Sequence, residues 1–301
     1  MEIRSYIVGV DESLPSRAAI RWAIGHARGR STEVVLVHVA DDEWGAVGAE
    51  LIDEVDSGAR KVLGDEWAYA QSLAGTVAVR GELRSGSPMA VLASLGDADT
   101  MLVVGTHKTG FHYGRAFGSR SLQLANLAIG PVAIVPDTES RLRRGVVVGV
   151  DDSAAGYAAL DLAADLACDH HCELIAVRSS GLSTGTGADG EDLQRYTQTR
   201  HDDEARDLLA AAADRARQRQ PGITIRSRVV RRPPGTALND IARGAEVLVV
   251  GDSRREQAQP GGLGSVAYDV LLNVSSPTIV VHAPPVVTEV PEAEGEAHVV
   301  R

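Results

Sequence analysis

The sequence predicts an α/β protein of two tandem doubly wound domains, each a five-stranded parallel sheet flanked by four helices. Three observations predict it. The chain is 301 residues long, a length that suits about two domains. An internal echo runs through nearly all of it. Within each copy, short β-branched runs that are apolar on both faces alternate with Ala- and Leu-rich segments of helical spacing.

The echo begins where Ile7-Val8-Gly9-Val10-Asp11-Glu12-Ser13 is answered by Val147-Val148-Gly149-Val150-Asp151-Asp152-Ser153. At the same offset of 140, Ala18, Ala19, Ala23 and Ala27 fall on Ala158, Ala159, Ala163 and Ala167. The offset then becomes 146, at which Ala59, Arg60 and Leu63 match Ala205, Arg206 and Leu209, Gly105 matches Gly251, Gly118-Ser119 matches Gly264-Ser265, and Pro131 matches Pro277. The inserted residues coincide with the Gly- and Ser-rich run from Ser179 to Gly187, read as a loop.

Each element has its own signal. In the first copy the runs Tyr6–Val10, Val34–Val39, Met101–Val104 and Val132–Val135 read as strands, and Arg17–Arg28, Asp53–Leu73 and Ser119–Ile129 as helices. In the second copy the strands are expected at Val146–Val150, Leu174–Val177, Ile223–Val230, Val247–Val250 and Thr278–Val281. Alternation of this kind demands βαβ units with right-handed crossovers. The domains are therefore placed at 1–140 and 145–283, joined by the charged Arg141-Leu142-Arg143-Arg144, and the acidic tail 284–301 is expected to be disordered. The terminal strands, Pro131–Pro136 and Pro277–His282, are edges that need partners, so the copies are expected to pair through them as a pseudo-dimer, with a homodimer of chains as a further expectation.

Composition narrows the function classes. A net charge of −11 argues against non-specific binding to nucleic acid or to an anionic membrane. No apolar stretch reaches the ~20 residues of a membrane span. The opening Met1-Glu2-Ile3-Arg4-Ser5-Tyr6 lacks the basic region and cleavage pattern of a signal peptide, which points to the cytoplasm. The run Cys168-Asp169-His170-His171-Cys172 has metal-binding residue types, but so short a backbone does not easily wrap four donors round one zinc. It reads instead as a polar helix end with reduced thiols.

In a doubly wound sheet, ligands bind beyond the carboxyl ends of the strands where strand order reverses. The aspartates after the first strand of each copy, Asp11 and Asp151, fall at such an end. So do the stretches after the fourth, Gly105 through Gly118-Ser119 and Gly251 through Gly264-Ser265. Glycines admit a ligand close to the backbone, and a helix starting after Gly118 or Gly264 aims unpaired amides at its tip, which is anion-binding chemistry. Lys108, Arg115 and Arg120 make the first loop basic enough for a triphosphate; in the second, Arg254 and Arg255 are partly countered by Asp252 and Glu256. Ser119 and Ser265 read either as ligand contacts or as helix N-caps, and Asp11 and Asp151 either as ligand contacts or as turn formers. His107 reads as phosphate-facing or solvent-facing, and His38 as a packed or solvated side chain outside the site.

These residues resemble the universal stress protein family in its tandem form, over about residues 3–136 and 145–283. The likeness rests on Val8-Gly9-Val10-Asp11, on Val37-His38-Val39, and on Gly105 and Gly118-Ser119, whose glycines stand thirteen positions apart like Gly251 and Gly264. The middle glycine of the family's loop is replaced by Lys108 and by Arg254, side chains that either obstruct phosphates or hold them by charge. The resemblance implies an ATP site, with Mg²⁺ carried by the nucleotide. Asp11, beside Gly9, would meet the adenosine end, Val39 and Val104 would line the base pocket, and Gly105, Lys108, Gly118 and Ser119 would hold phosphates. Asp151, beside Gly149, and Val250, Gly251, Gly264 and Ser265 would be the counterparts, with Ser179 at the place of Val39.

Three functions follow as expectations. The first is a cytoplasmic ATP-binding stress or dormancy regulator acting through unidentified protein partners. The second is a nucleotide-free scaffold acting through protein contacts. The third is an enzyme, at most a slow ATPase, since no residue pair looks like an activated nucleophile with its base.

Overall fold

The computed structural model describes residues 3–41, 49–106, 119–138, 144–181, 190–253 and 262–283, without the side chains of 49–55, 119 and 190–195. The expected tail 284–301, linker residues 141–143, most of the inserted loop, and the loop residues His107, Lys108, Arg115, Gly118, Arg254, Arg255 and Glu256 lie outside them.

Chain order in the first half is β1 (Ser5–Gly9), α1 (Leu14–Ala27), β2 (Glu33–Ala40), α2 (Ala49–Ala74), β3 (Val79–Ser85), α3 (Pro88–Ser94), β4 (Thr100–Thr106), α4 (Ser119–Leu127) and β5 (Val132–Pro136). The second half repeats it as β6 (Val146–Gly149), α5 (Ala154–Asp169), β7 (Leu174–Ser179), α6 (Gly190–Arg219), β8 (Ile225–Val230), α7 (Pro234–Ala242), β9 (Val247–Asp252), α8 (Ser265–Leu272) and β10 (Thr278–His282). Each half has the expected five strands and four helices. Strand β8 starts two residues later than its apolar pattern suggests, because Ile223 donates its amide to the Gln220 carbonyl and closes a turn. Helix α1 starts earlier, at Leu14, because the Ser13 side chain caps it.

The strands form one ten-stranded sheet in the order β3-β2-β1-β4-β5-β10-β9-β6-β7-β8. Every pairing within a half is parallel. The halves join at β5 and β10, which run antiparallel with Ile134 opposite Thr278 and Val132 opposite Val280. Pairing these two buried strands removes both inner edges. The remaining edges, β3 (VRGELRS) and β8 (IRSRVV), carry charged side chains that discourage further strand addition.

Helices α1, α2, α5 and α6 cover one face of the sheet and α3, α4, α7 and α8 the other, and each buried core runs through both halves. Alanine dominates the inner faces of α1 and α5, so these helices lie close to the strands. The two halves also touch through their helices, where His26 of α1 lies 4.7 Å from the ring of His170 at the end of α5. In each half strand order reverses between the first and fourth strands, β1 and β4 or β6 and β9.

Candidate functional site

A cleft opens at each reversal. The first is lined by Gly9, Val10, Asp11, Ser13, Ser16, Val37, His38, Val39, Val104 and Gly105, with Pro88, Met89 and Leu92 of the α3 region and Arg120 and Ser121 of α4. The second is lined by Gly149, Val150, Asp151, Val177, Arg178, Ser179, Ser180, Gly181, Val250 and Gly251, with Val230, Pro234, Leu238 and Val266. The expected residues Gly9, Asp11, Val39, Val104 and Gly105 thus come together, as do Gly149, Asp151, Val250 and Gly251. Gly264 and Ser265 do not join the second lining. The cavities measure about 120 and 370 Å³.

The aspartates organise the helix starts beside the clefts. Ser13 donates its amide (3.2 Å) and its hydroxyl (2.6 Å) to Asp11 Oδ1, while its own oxygen accepts the Ser16 amide at 3.2 Å. Asp151 and Ser153 repeat the arrangement at 3.1 and 2.6 Å, and Ser153 accepts the Gly156 amide at 2.9 Å. The turn-forming role expected as an alternative is therefore present in both copies. Asp11 is exposed, whereas Asp151 is half-buried.

Several glycines have reasons within the fold. A Cβ on Gly105 would fall 2.1 Å from the carbonyl carbon and oxygen of Pro15, and one on Gly251 would fall 2.7 Å from the backbone of Ala155 and Gly156. The end of the fourth strand is pressed against the first turn of the helix that follows the first strand. Gly9 and Gly149 sit under Leu92 and Leu238, whose Cδ1 atoms would lie 2.9 and 3.2 Å from such a Cβ.

The helix tips differ between copies. Neither α4 nor α8 carries an acidic residue in its first turn, so the positive end of each helix dipole is uncompensated from within the helix. The first tip adds Arg120 to the cleft, where the second has Val266. At the second, Gly264 is the N-cap and Ser265 the first helical residue, exposed and without a capping bond. Ser265 is therefore not the N-cap of α8. Ser119 likewise begins α4. Asp252 is buried, accepts the Gly264 amide on Oδ1 at 2.8 Å, and has its Oδ2 3.2 Å from His282 Nδ1; Arg254, which it is expected to counter in part, lies outside the described residues.

His38, expected outside the site, lines the first cleft. His38 Nδ1 donates to the Val10 carbonyl at 2.8 Å, and Arg178, its counterpart, donates to the Val150 carbonyl at 3.0 Å. Each closes the floor of its cleft against the residue preceding the aspartate. Two-residue alternation along β2 places Val39 on the face opposite His38, yet the strand end exposes both to the cleft. Pro88 and Pro234 begin α3 and α7, where proline at the first helical position is the local signal that could have found them. Cys168 and Cys172 are free thiols, and no three metal-binding side chains gather among the described residues. No described helix is long and apolar enough to cross a membrane.

Fold and site together define a tandem doubly wound α/β protein with a cleft at each switch point. The sequence model described as the universal stress protein family matches residues 2–136 and 143–282, and the chain belongs to that family. It is similar to a universal stress protein of Mycobacterium tuberculosis, 29% identical over 297 residues that span 91% of this chain and 95% of the relative. A Mycolicibacterium smegmatis universal stress protein is also 29% identical, over 288 residues, 91% of this chain and 96% of the relative. The crystal structure of a universal stress protein from Archaeoglobus fulgidus DSM 4304 superposes with a TM-score of 0.67 at 15% identity, covering 94% of this chain and 97% of that one; this likeness concerns the fold.

Proposed function

We propose that the chain binds ATP, with Mg²⁺ as its companion ion, at its switch-point clefts, and works in the cytoplasm as a stress or dormancy regulator. Occupancy alters its assembly or its protein partners, and substrate turnover is not the purpose. The observation that carries this reading is the convergence of Asp11, Val39, Val104, Gly105 and Arg120 on one cleft at the carboxyl ends of parallel strands. Apolar walls suit a base, and a cation beside a helix tip free of acidic residues suits phosphates. In this reading Gly9 and Asp11 meet the nucleoside, and Gly105, Lys108, Gly118 and Ser119 the phosphates. Gly149, Asp151, Val250, Gly251, Gly264 and Ser265 are the counterparts. Residues 1–140 and 145–283 act as the two units, and sedimentation tests whether two chains associate.

Binding stabilises a fold by mass action, by about 2.7 kcal/mol at a ligand concentration a hundredfold above Kd. Millimolar ATP is therefore expected to raise Tm, and mass spectrometry of freshly purified protein to find retained nucleotide. Absence of both defeats the reading. A second reading, a scaffold working only through protein contacts, draws on the packing reasons found for Gly9 and Gly105. Bulky residues in place of Gly118 and Ser119 leave a scaffold's function intact and abolish that of an ATP-dependent regulator.

A further inference from the structure

We propose that Asp252 is a built-in anion occupying the tip of α8, so that the second domain takes no polyphosphate and nucleotide binding falls to the first domain alone. This rests on the reading above, narrows its two clefts to one, and so assigns its stoichiometry. The carboxylate is 2% exposed and is held from two sides. Its Oδ1 accepts the amide of Gly264, the N-cap of α8, at 2.8 Å, and its Oδ2 lies 3.2 Å from Nδ1 of the buried His282. A Cβ on Gly264 would fall 3.1 Å from that Oδ1, so the absence of a side chain there serves the protein's own carboxylate. The acceptor that an incoming phosphate would supply at this amide is already present.

The first domain is built differently at the same places. Strand register pairs His282 with Asp252 and, in the first half, Pro136 with Thr106. The buried carboxylate and imidazole thus have an uncharged hydroxyl and a proline as counterparts. The neighbouring helix tips show the matching contrast of Arg120 against Val266. A phosphate at α8 would have to displace a buried carboxylate that already holds the Gly264 amide and lies against His282. Nε2 of His282 is buried with no hydrogen-bond partner, a cost retained for the sake of the Asp252 contact.

The test compares the full-length chain with Asp252→Thr, which installs the residue type of Thr106. By equilibrium dialysis with ATP the native chain is expected to bind about one nucleotide and the variant about two. In parallel, inorganic tripolyphosphate is expected to raise the variant's Tm a few degrees further than the native chain's. Two nucleotides on the native chain overturn the proposal, as does a variant that gains neither nucleotide nor tripolyphosphate response. A native chain that binds none defeats the ATP reading of the previous section, while the gain on substitution still decides the role of Asp252. If Asp252→Thr fails to fold by circular dichroism, Asp252→Asn keeps the oxygen that caps Gly264, removes the charge, and is read by the same two measurements.

Discussion

Substituting Gly105 separates the two explanations of the glycine that opens the first loop. If the position is glycine only to admit phosphates, Gly105→Ala weakens ATP binding and leaves the free protein unchanged. The packing says otherwise. The new Cβ would lie 2.1 Å from the backbone carbon and oxygen of Pro15, where ordinary contact begins at 3.4 Å, so strand or helix must retreat by about 1.3 Å. Backbone, unlike a side-chain tip, has no rotamer by which to yield, which places the cost at the upper end of overpacking, about 3 kcal/mol or more. For domains of this size that corresponds to a fall in Tm of roughly 6–12 °C without any ligand. Two controls fix the scale. At Gly149 the obstacle is Leu238 Cδ1 at 3.2 Å, a flexible tip, and alanine there is expected to cost about 1 kcal/mol or less. Gly25, exposed within α1 with nothing within 4 Å of its Cβ position, is expected to stabilise by about 0.5–1 kcal/mol on becoming alanine. Thermal and urea unfolding of the three variants without nucleotide provide the assay. A Gly105→Ala protein as stable as Gly25→Ala would refute the packing argument.

Three further outcomes are expected. Arg17 Nε lies 2.9 Å from Glu66 Oε1, and the Glu66 side chain is fully buried with Oε2 lacking a partner, so Arg17→Ala should cost about 2–4 kcal/mol in urea unfolding while Glu66→Leu stays within about 1 kcal/mol. The contact between the helices on one face is mirrored with its partners exchanged, Arg17 over Tyr69 at 4.9 Å and Arg215 over Tyr157 at 5.1 Å. Tyr157→Arg alone should cost about 1 kcal/mol, and adding Arg215→Tyr should recover about half, since an arginine at 157 lies one turn from Asp161; no recovery in the double-mutant cycle sinks the idea. Burial, and then the nearby His170, push the His26 pKa down to about 3, so the folded chain binds fewer protons than the unfolded one between pH 6.5 and 3 and loses stability as pH falls through that window. By pH 4.5 the loss should reach about 2–3 kcal/mol in the native chain and be absent from His26→Phe, measured as the pH dependence of the difference in urea midpoints.

The spacing of residues determined the architecture. Runs such as Met101–Val104, apolar on both faces, have no stable placement except between two layers of helices, and the offset from Ile7 to Val147 doubles whatever the first half does. The unpaired terminal strands even announced the joint between the halves, which β5 and β10 form. For the site, the sequence placed Asp11, Val39, Val104 and Gly105 at strand ends, and the cleft gathers them. What it left open depends on atoms remote along the chain. That Gly105 is pressed on Pro15, that His38 reaches the Val10 carbonyl, and that Asp252 is buried between Gly264 and His282 are contacts between separate elements. Local periodicity reports which face a residue occupies; it does not report whether a charge on that face meets water or another strand. In the sequence Asp252 reads only as a counter-charge to Arg254; that a neighbouring strand brings it an imidazole and the following helix an amide is visible only in the fold. The repeat, and with Ser179 at the place of Val39 a first difference between its halves, was determined by the sequence; the burial of Asp252 and the packing of Gly105 on Pro15 were decided by the tertiary structure, because desolvation and close backbone approach are properties of the assembled sheet.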